Sequence, residues 1–216
     1  MITGYPFRQA IMDVDKEETL KAMGVKPRGK IISFFDEMSF GAETQITEEH
    51  CVRFWQMIVD CAKQFPDHTL LIKPKDITRA KDMNKNNGMF HDMMSCHLIL
   101  RARKIIPNAY ILDDKKWSFI ETIGVSDIVV TQGMFSSATI ALICEKEGLY
   151  FDESGYSHPL KDRYKDILVF DDKDRLFEMI RLITIGYSTR AEMSVEELRS
   201  YSKYNNGVEM IRGILA

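Results

Sequence analysis

The 216-residue chain lacks any run of about 18 consecutive apolar residues, the length a membrane-spanning helix needs. Its N-terminus, Met1-Ile2-Thr3-Gly4-Tyr5-Pro6, has neither the basic nor the apolar region of a secretion signal. A cytoplasmic location is the resulting expectation. Cysteine is scarce and unpaired in sequence: Cys51, Cys61, Cys96 and Cys144 form no C-x-x-C pair, and each sits in an apolar periodic segment. They read as buried free thiols of a reducing compartment. Charge of one sign is lacking too, with 29 Lys and Arg against 32 Asp and Glu and a sequence pI near 6.0. That balance excludes a general polyanion binder and sets the expectation of no nucleic-acid partner. His91, Cys96 and His97 lack any accepted zinc spacing, so no metal is expected. Internal repeats and low-complexity segments are absent.

What is present is an alternation of short apolar runs with longer amphipathic stretches, the pattern of a parallel α/β sheet. Six runs read as strands buried on both faces: 31–35, 69–73, 109–112, 127–131, 149–151 and 167–170. A long helix starts after Thr47, whose hydroxyl can cap it while Glu48 and Glu49 favour its positive end, and Pro66 stops it after Gln64. Further helices are expected over 91–104, 115–122, 137–147 and 173–185, with an exposed polar loop over 82–88. The fold class is α/β, a Rossmann-like three-layer sandwich with about six parallel strands. Residues 1–186 form that domain, and 187–216 form a helical tail packed back on it, its Ser194-Val195-Glu196-Glu197 a capping-box signature.

In open parallel sheets ligands bind beyond the carboxyl ends of the strands. After the fourth strand come Gly133 and then Ser136, Ser137 and Thr139 at the start of a helix, where N–H groups and the macrodipole favour an anion. A phosphate or diphosphate suits that place, and simple capping of the helix by Ser136 or Ser137 is the alternative. Lys73 ends the second strand with Pro74 fixing the chain, which would hold an ammonium group over the crevice, or leave it solvated. Asp36-Glu37 follow the first strand as an acid/base or ribose-binding pair, or as charges at the start of a helix. The adjacent carboxylates of Asp113-Asp114 point to opposite faces and do not share a cation.

Taken in order, Ile2-Thr3-Gly4-Tyr5-Pro6, Lys30-Ile31-Ile32-Ser33-Phe34-Phe35, Leu71-Ile72-Lys73-Pro74, Ser126 to Thr131 with Ser136-Ser137-Ala138-Thr139, and Leu149-Tyr150-Phe151-Asp152 carry a family resemblance. Over about residues 2 to 185 the chain resembles the C-terminal, donor-binding half of GT-B-fold enzymes of bacterial surface polysaccharide synthesis. These include capsule glycosyltransferases and CDP-glycerol polymerases. The resemblance implies a nucleotide-sugar donor with no separate cofactor, a glycan acceptor, and an N-terminal half or partner domain that this chain does not contain. It places Lys73 near the donor phosphates, and Ser136, Ser137 and Thr139 with Gly133 around the diphosphate. Asp36 and Glu37 fall near the domain cleft, and Asp152 to Tyr156, Ser154 among them, beside the nucleotide or sugar. The catalytic residues are not assigned, and the chain alone is expected to be inactive. Peripheral membrane association through the full-length protein is a further expectation. Two positions depart from the family: the place of its donor-binding Glu is Leu142, and its Gly-x-Pro is Gly148-Leu149-Tyr150. They support a second reading, a non-catalytic Rossmann-like interaction module. A third is a relative of sugar-nucleotide 2-epimerases.

Overall fold

The computed structural model describes residues 6–36, 46–75, 88–102, 104–155 and 157–193. Its centre is a sheet of six parallel strands, β1 (Ile31–Asp36), β2 (Thr69–Pro74), β3 (Ala109–Ile111), β4 (Ile128–Gln132), β5 (Glu147–Phe151) and β6 (Val169–Phe170). The spatial order is β3-β2-β1-β4-β5-β6. The order reverses between β1 and β4, which pair from Ile32 opposite Ile128 to Phe35 opposite Thr131. That is the doubly wound, Rossmann-like arrangement, with a switch point where the two central strands diverge.

Among the described residues eight α-helices cover the sheet: α1 (Arg8–Met12), α2 (Lys16–Ala22), α3 (Glu48–Gln64), α4 (Gly88–Arg101), α5 (Phe119–Val125), α6 (Ser136–Ile143), α7 (Pro159–Arg163) and α8 (Lys173–Thr184). Side chains alternate across the strands, so each strand feeds two cores. Ile32, Phe34, Ile72, Ile128 and Val130 pack with α3, α4 and α8 on one face. Phe35 and Val129 pack with Ile11, Ile123 and Ile140 on the other, where Ile31 and Leu71 meet Leu20. Short polar caps set the helix starts. Thr47 and His50 form a reciprocal capping box on α3. Asp15 accepts from Glu18 N–H on α2, and Asp172 from the N–H groups of Asp174 and Arg175 on α8.

All six expected strands are present, and Thr47 caps the long helix as its sequence indicates. The boundaries differ where turn geometry intervenes. The expected helix over 137–147 ends at Ile143, because Glu145 adopts φ 62° and Lys146 N–H returns to the Ala141 carbonyl. Glu147 is thereby released to pair with Ile128 as the first residue of β5. The last strand is shorter than expected, since Asp166, also at φ 62°, turns the chain just before it. Of the tail, residues 188–193 pack back on the domain. The Glu147 carboxylate accepts from Ser188 Oγ at 2.6 Å and from Thr189 N and Oγ1 at 3.1 and 2.6 Å. The expected helix after residue 193 lies outside the described residues, as do Glu37, Tyr156 and most of the polar loop over 82–88.

Candidate functional site at the strand switch point

Where β1 and β4 part, the carboxyl ends of β1 and β2 and the starts of α5 and α6 enclose an open cleft of about 420 Å³. Its polar wall holds Asp36, Lys73, Lys75, Ser118, Ser136 and Ser137, and its apolar wall is built on Phe7, Phe35, Phe119 and Ile140. The volume falls in the range of small-molecule sites.

Three of the expected residues meet here. Lys73 is the penultimate residue of β2; its ammonium donates to the Pro74 carbonyl at 3.1 Å, which holds the charge at the strand end. Ser136 and Ser137 are the first two residues of α6. The residue before them, Phe135, is the N-cap, in extended conformation and with no side-chain cap. Neither serine therefore serves as the cap, and the first turn of α6 presents its N–H groups without a side chain of the capping residue across them. Ser136 is exposed and Ser137 is 7% exposed at the cleft wall. Lys75, two residues beyond Lys73, places its ammonium 5.6 Å from the Phe135 ring centre. A dipole end, two hydroxyls and two ammonium groups thus converge on one space, an arrangement that stabilises an anion.

Asp36 forms the floor. It is 1% exposed, ends β1, and accepts a hydrogen bond from Trp55 Nε1 at 3.1 Å. Beneath it on the same face, Gln132 Nε2 donates to Cys51 Sγ at 3.2 Å, and burial, with Asp36 nearby, pushes the Cys51 thiol up to about 12. That thiol is protonated and not a nucleophile at neutral pH.

Four expected residues lie elsewhere. Thr139 is one helical turn along α6, where its hydroxyl meets Tyr150 Oη at 2.5 Å over a small apolar hollow with Leu142 and Leu160. Gly133, at φ 65°, turns the chain out of β4 and donates to the Phe151 carbonyl at 2.7 Å. Asp152 is 2% exposed and accepts from Lys161 Nζ at 3.1 Å, while the Ser154 N–H caps its other oxygen at 3.0 Å. Gly133, Asp152 and Ser154 border a separate narrow crevice with His50 and Glu153.

Sequence reasoning passed over the aromatic wall. Phe7 precedes α1 and stands edge-on to Phe119, ring centres 5.6 Å apart at 83°. Arg8 beside it donates to the Ile143 carbonyl at 3.1 Å and pairs with Glu145 at 2.8 Å, fastening this segment to the far end of α6. No spacing rule reveals a wall assembled from residues 7 and 119. Lys75 had a signal: i and i+2 of an extended strand end share a face.

Among the described residues, no group of three His, Cys, Asp or Glu side chains is placed to hold a metal ion, and no helix is long and apolar enough to cross a membrane. No protein family matches the chain, and no curated protein sequence matches it. Solved structures similar to the chain include two forms of one polymerase. One is the wall teichoic acid polymerase TagF, with a TM-score of 0.49 and 11% identity over 97% of this chain and 47% of that one. The other is a point variant of TagF, with a TM-score of 0.50 and 9% identity over 96% and 48%. The chain spans about half the length of these polymerases, and at this identity the likeness is one of fold.

Proposed function

We propose that this chain is the donor-binding half of a GT-B glycosyltransferase-like enzyme of surface polysaccharide synthesis, taking a nucleotide-activated donor. The observation that carries the reading is the switch-point cleft, in which Lys73, Ser136, Ser137 and the uncapped start of α6 face one space. A nucleotide diphosphate fits that chemistry: its charge meets the helix dipole and the ammonium groups, and its organic part meets Phe7 and Phe119. On this reading Lys73 and the α6 start hold the donor phosphates and stabilise charge as the leaving phosphate departs. The fold likeness to TagF supports the polysaccharide context. The acceptor and its activating base come from another domain.

The test is a melting-temperature series with UDP, GDP, CMP and CDP. A ligand at 100 times its dissociation constant adds about 2.7 kcal/mol, which is roughly 5 to 11 °C for a domain of this size. Combining Ser137→Ala with Lys73→Ala should abolish the shift. Flat melting curves across the whole series would sink the proposal.

One observation favours the second reading, a binding module without catalysis. Leu142, at the place of the family's donor-binding Glu, is 4% exposed among Tyr150, Leu160 and Leu168. No carboxylate fits there. If that reading holds, which makes the chain a docking or oligomerisation module, the melting temperature stays flat across the nucleotide series while the chain dimerises or captures a partner.

A further inference from the structure

The N-terminal segment reaches the cleft by a route that leaves one large side chain uncovered. Helix α1 has five residues and no side-chain cap at Phe7, too little to hold itself, so its order comes from tertiary anchors. Ile11 is the first: it is 1% exposed and packs with Phe35, Ile123 and Ile140. Arg8 is the second. Its Nε donates to the Ile143 carbonyl at 3.1 Å and its Nη2 pairs with Glu145 at 2.8 Å. The guanidinium thereby satisfies a carbonyl in the last turn of α6 and places a cation at the negative end of that helix. The Glu145 turn is held from a second side, for Arg190 Nη1 donates to its carbonyl at 3.3 Å. With Arg8 clasped to that turn, its neighbour Phe7 is carried to the cleft wall.

Phe7 nevertheless stays 44% exposed, one of the few large apolar side chains left so among the described residues. Its ring meets Phe119 edge to face, so the two rings form a right-angled corner in which a flat group can lie on one ring with its rim against the other. A diphosphate alone is too small to fill a cleft of about 420 Å³ whose remaining wall is apolar. The hydroxyls of a bare sugar would lose water against that wall without gaining a partner. A prenyl chain would have to order bond after bond in an open cleft, whereas a heteroaromatic base is already rigid.

We propose, resting on the reading of the cleft as a nucleotide-donor site, that Phe7 is its specificity-determining residue, selecting an anion that bears a flat aromatic base, and that Arg8 is the positioning residue that holds Phe7 in place. Every base has a π-face, so a wall of rings selects for the presence of a base rather than for its identity. Arg8 is not among the residues lining the cleft, and its bonds run to the far end of α6, so it acts only through its neighbour.

Titration calorimetry with UDP, CDP and GDP tests this, with inorganic pyrophosphate as the base-free control. The nucleotides should each bind at least roughly tenfold tighter than pyrophosphate. Phe7→Ala should weaken them by about five- to a hundredfold and leave pyrophosphate unchanged. Phe7→Leu, which keeps the apolar bulk without the ring, should lose nearly as much, and Phe7→Trp should restore binding. Arg8→Ala should weaken the nucleotides by about two- to tenfold, again sparing pyrophosphate, and lower the melting temperature by no more than about 4 °C. A purely structural role for Phe7 and Arg8 would instead weaken all four anions together, and that result overturns the proposal. So do nucleotides that bind no tighter than pyrophosphate, or geranyl diphosphate binding tighter than any of them. If none of the four anions binds, the cleft is not a donor site and Phe7 selects nothing.

Discussion

His97 shows how one side chain can leave a stability signature of its own. It is 7% exposed on α4, its ring centre 5.6 Å from that of Trp55, and among the described residues neither ring nitrogen has a hydrogen-bond partner. Burial, reinforced by Arg101, lowers its pKa to about 4. The folded protein therefore refuses a proton that the unfolded chain accepts at about 6.5. Its contribution is whole above pH 6.5 and is lost as the pH falls towards 4, in total about 3 kcal/mol. His97→Phe keeps the tilted ring contact with Trp55 and removes two unpartnered polar atoms. Urea denaturation should find the variant at least as stable at pH 7 and increasingly more stable than the parent down to pH 4.5. Parallel pH profiles of the two proteins would contradict this account.

Among the elements, α6 has the narrowest tolerance. It supplies the cleft with Ser136 and Ser137 and lies so close to β5 that a Cβ on Gly148 would stand 2.2 Å from the Ala138 carbonyl and 2.9 Å from Leu142 Cγ. Backbone is the obstacle, so relief requires moving the helix. Gly148→Ala should cost about 3 kcal/mol, a fall in melting temperature of roughly 6 to 12 °C, and should weaken any anion bound at the α6 start. The elements readable from sequence were those with a strong periodic or capping signal. The central strands are apolar on both faces, and α3 carries both Thr47 and a long amphipathic pattern. The helices passed over, α1, α2 and α7, have five to seven residues, too few to show a period. Asp15 followed by Glu18 was nonetheless a legible cap. The site was legible in half: strand-end position and hydroxyl chemistry pointed to Lys73, Ser136 and Ser137. Thr139 is a helical turn from the start of α6 and bonds to Tyr150, while Asp152 neutralises Lys161; such pairings depend on residues distant in sequence.

For the molecule as a whole, the thiols report the integrity of both cores. All four cysteines are free and buried. Burial raises each thiol, Cys51 to about 12 and Cys144 to about 11, with Cys61 and Cys96 also above their ordinary value. A disulfide reagent at pH 8 should find almost no fast-reacting thiol in the folded protein and four once it is denatured. Rapid labelling of one or more cysteines under native conditions would show that a core opens.

The strand order governs the birth of the protein as well as its shape. β1 lies between β2 and β4, and its pairing with β4 joins Ile32 to Ile128. While a ribosome is still making the stretch before β4, β1 can be satisfied along only one edge, by β2. The nascent chain then carries a bare, apolar strand flank, the kind of surface that recruits chaperones or a neighbouring chain. A release before residue 128 leaves β1 as an open edge, whereas a release after β4 covers it and passes the open edge to β4.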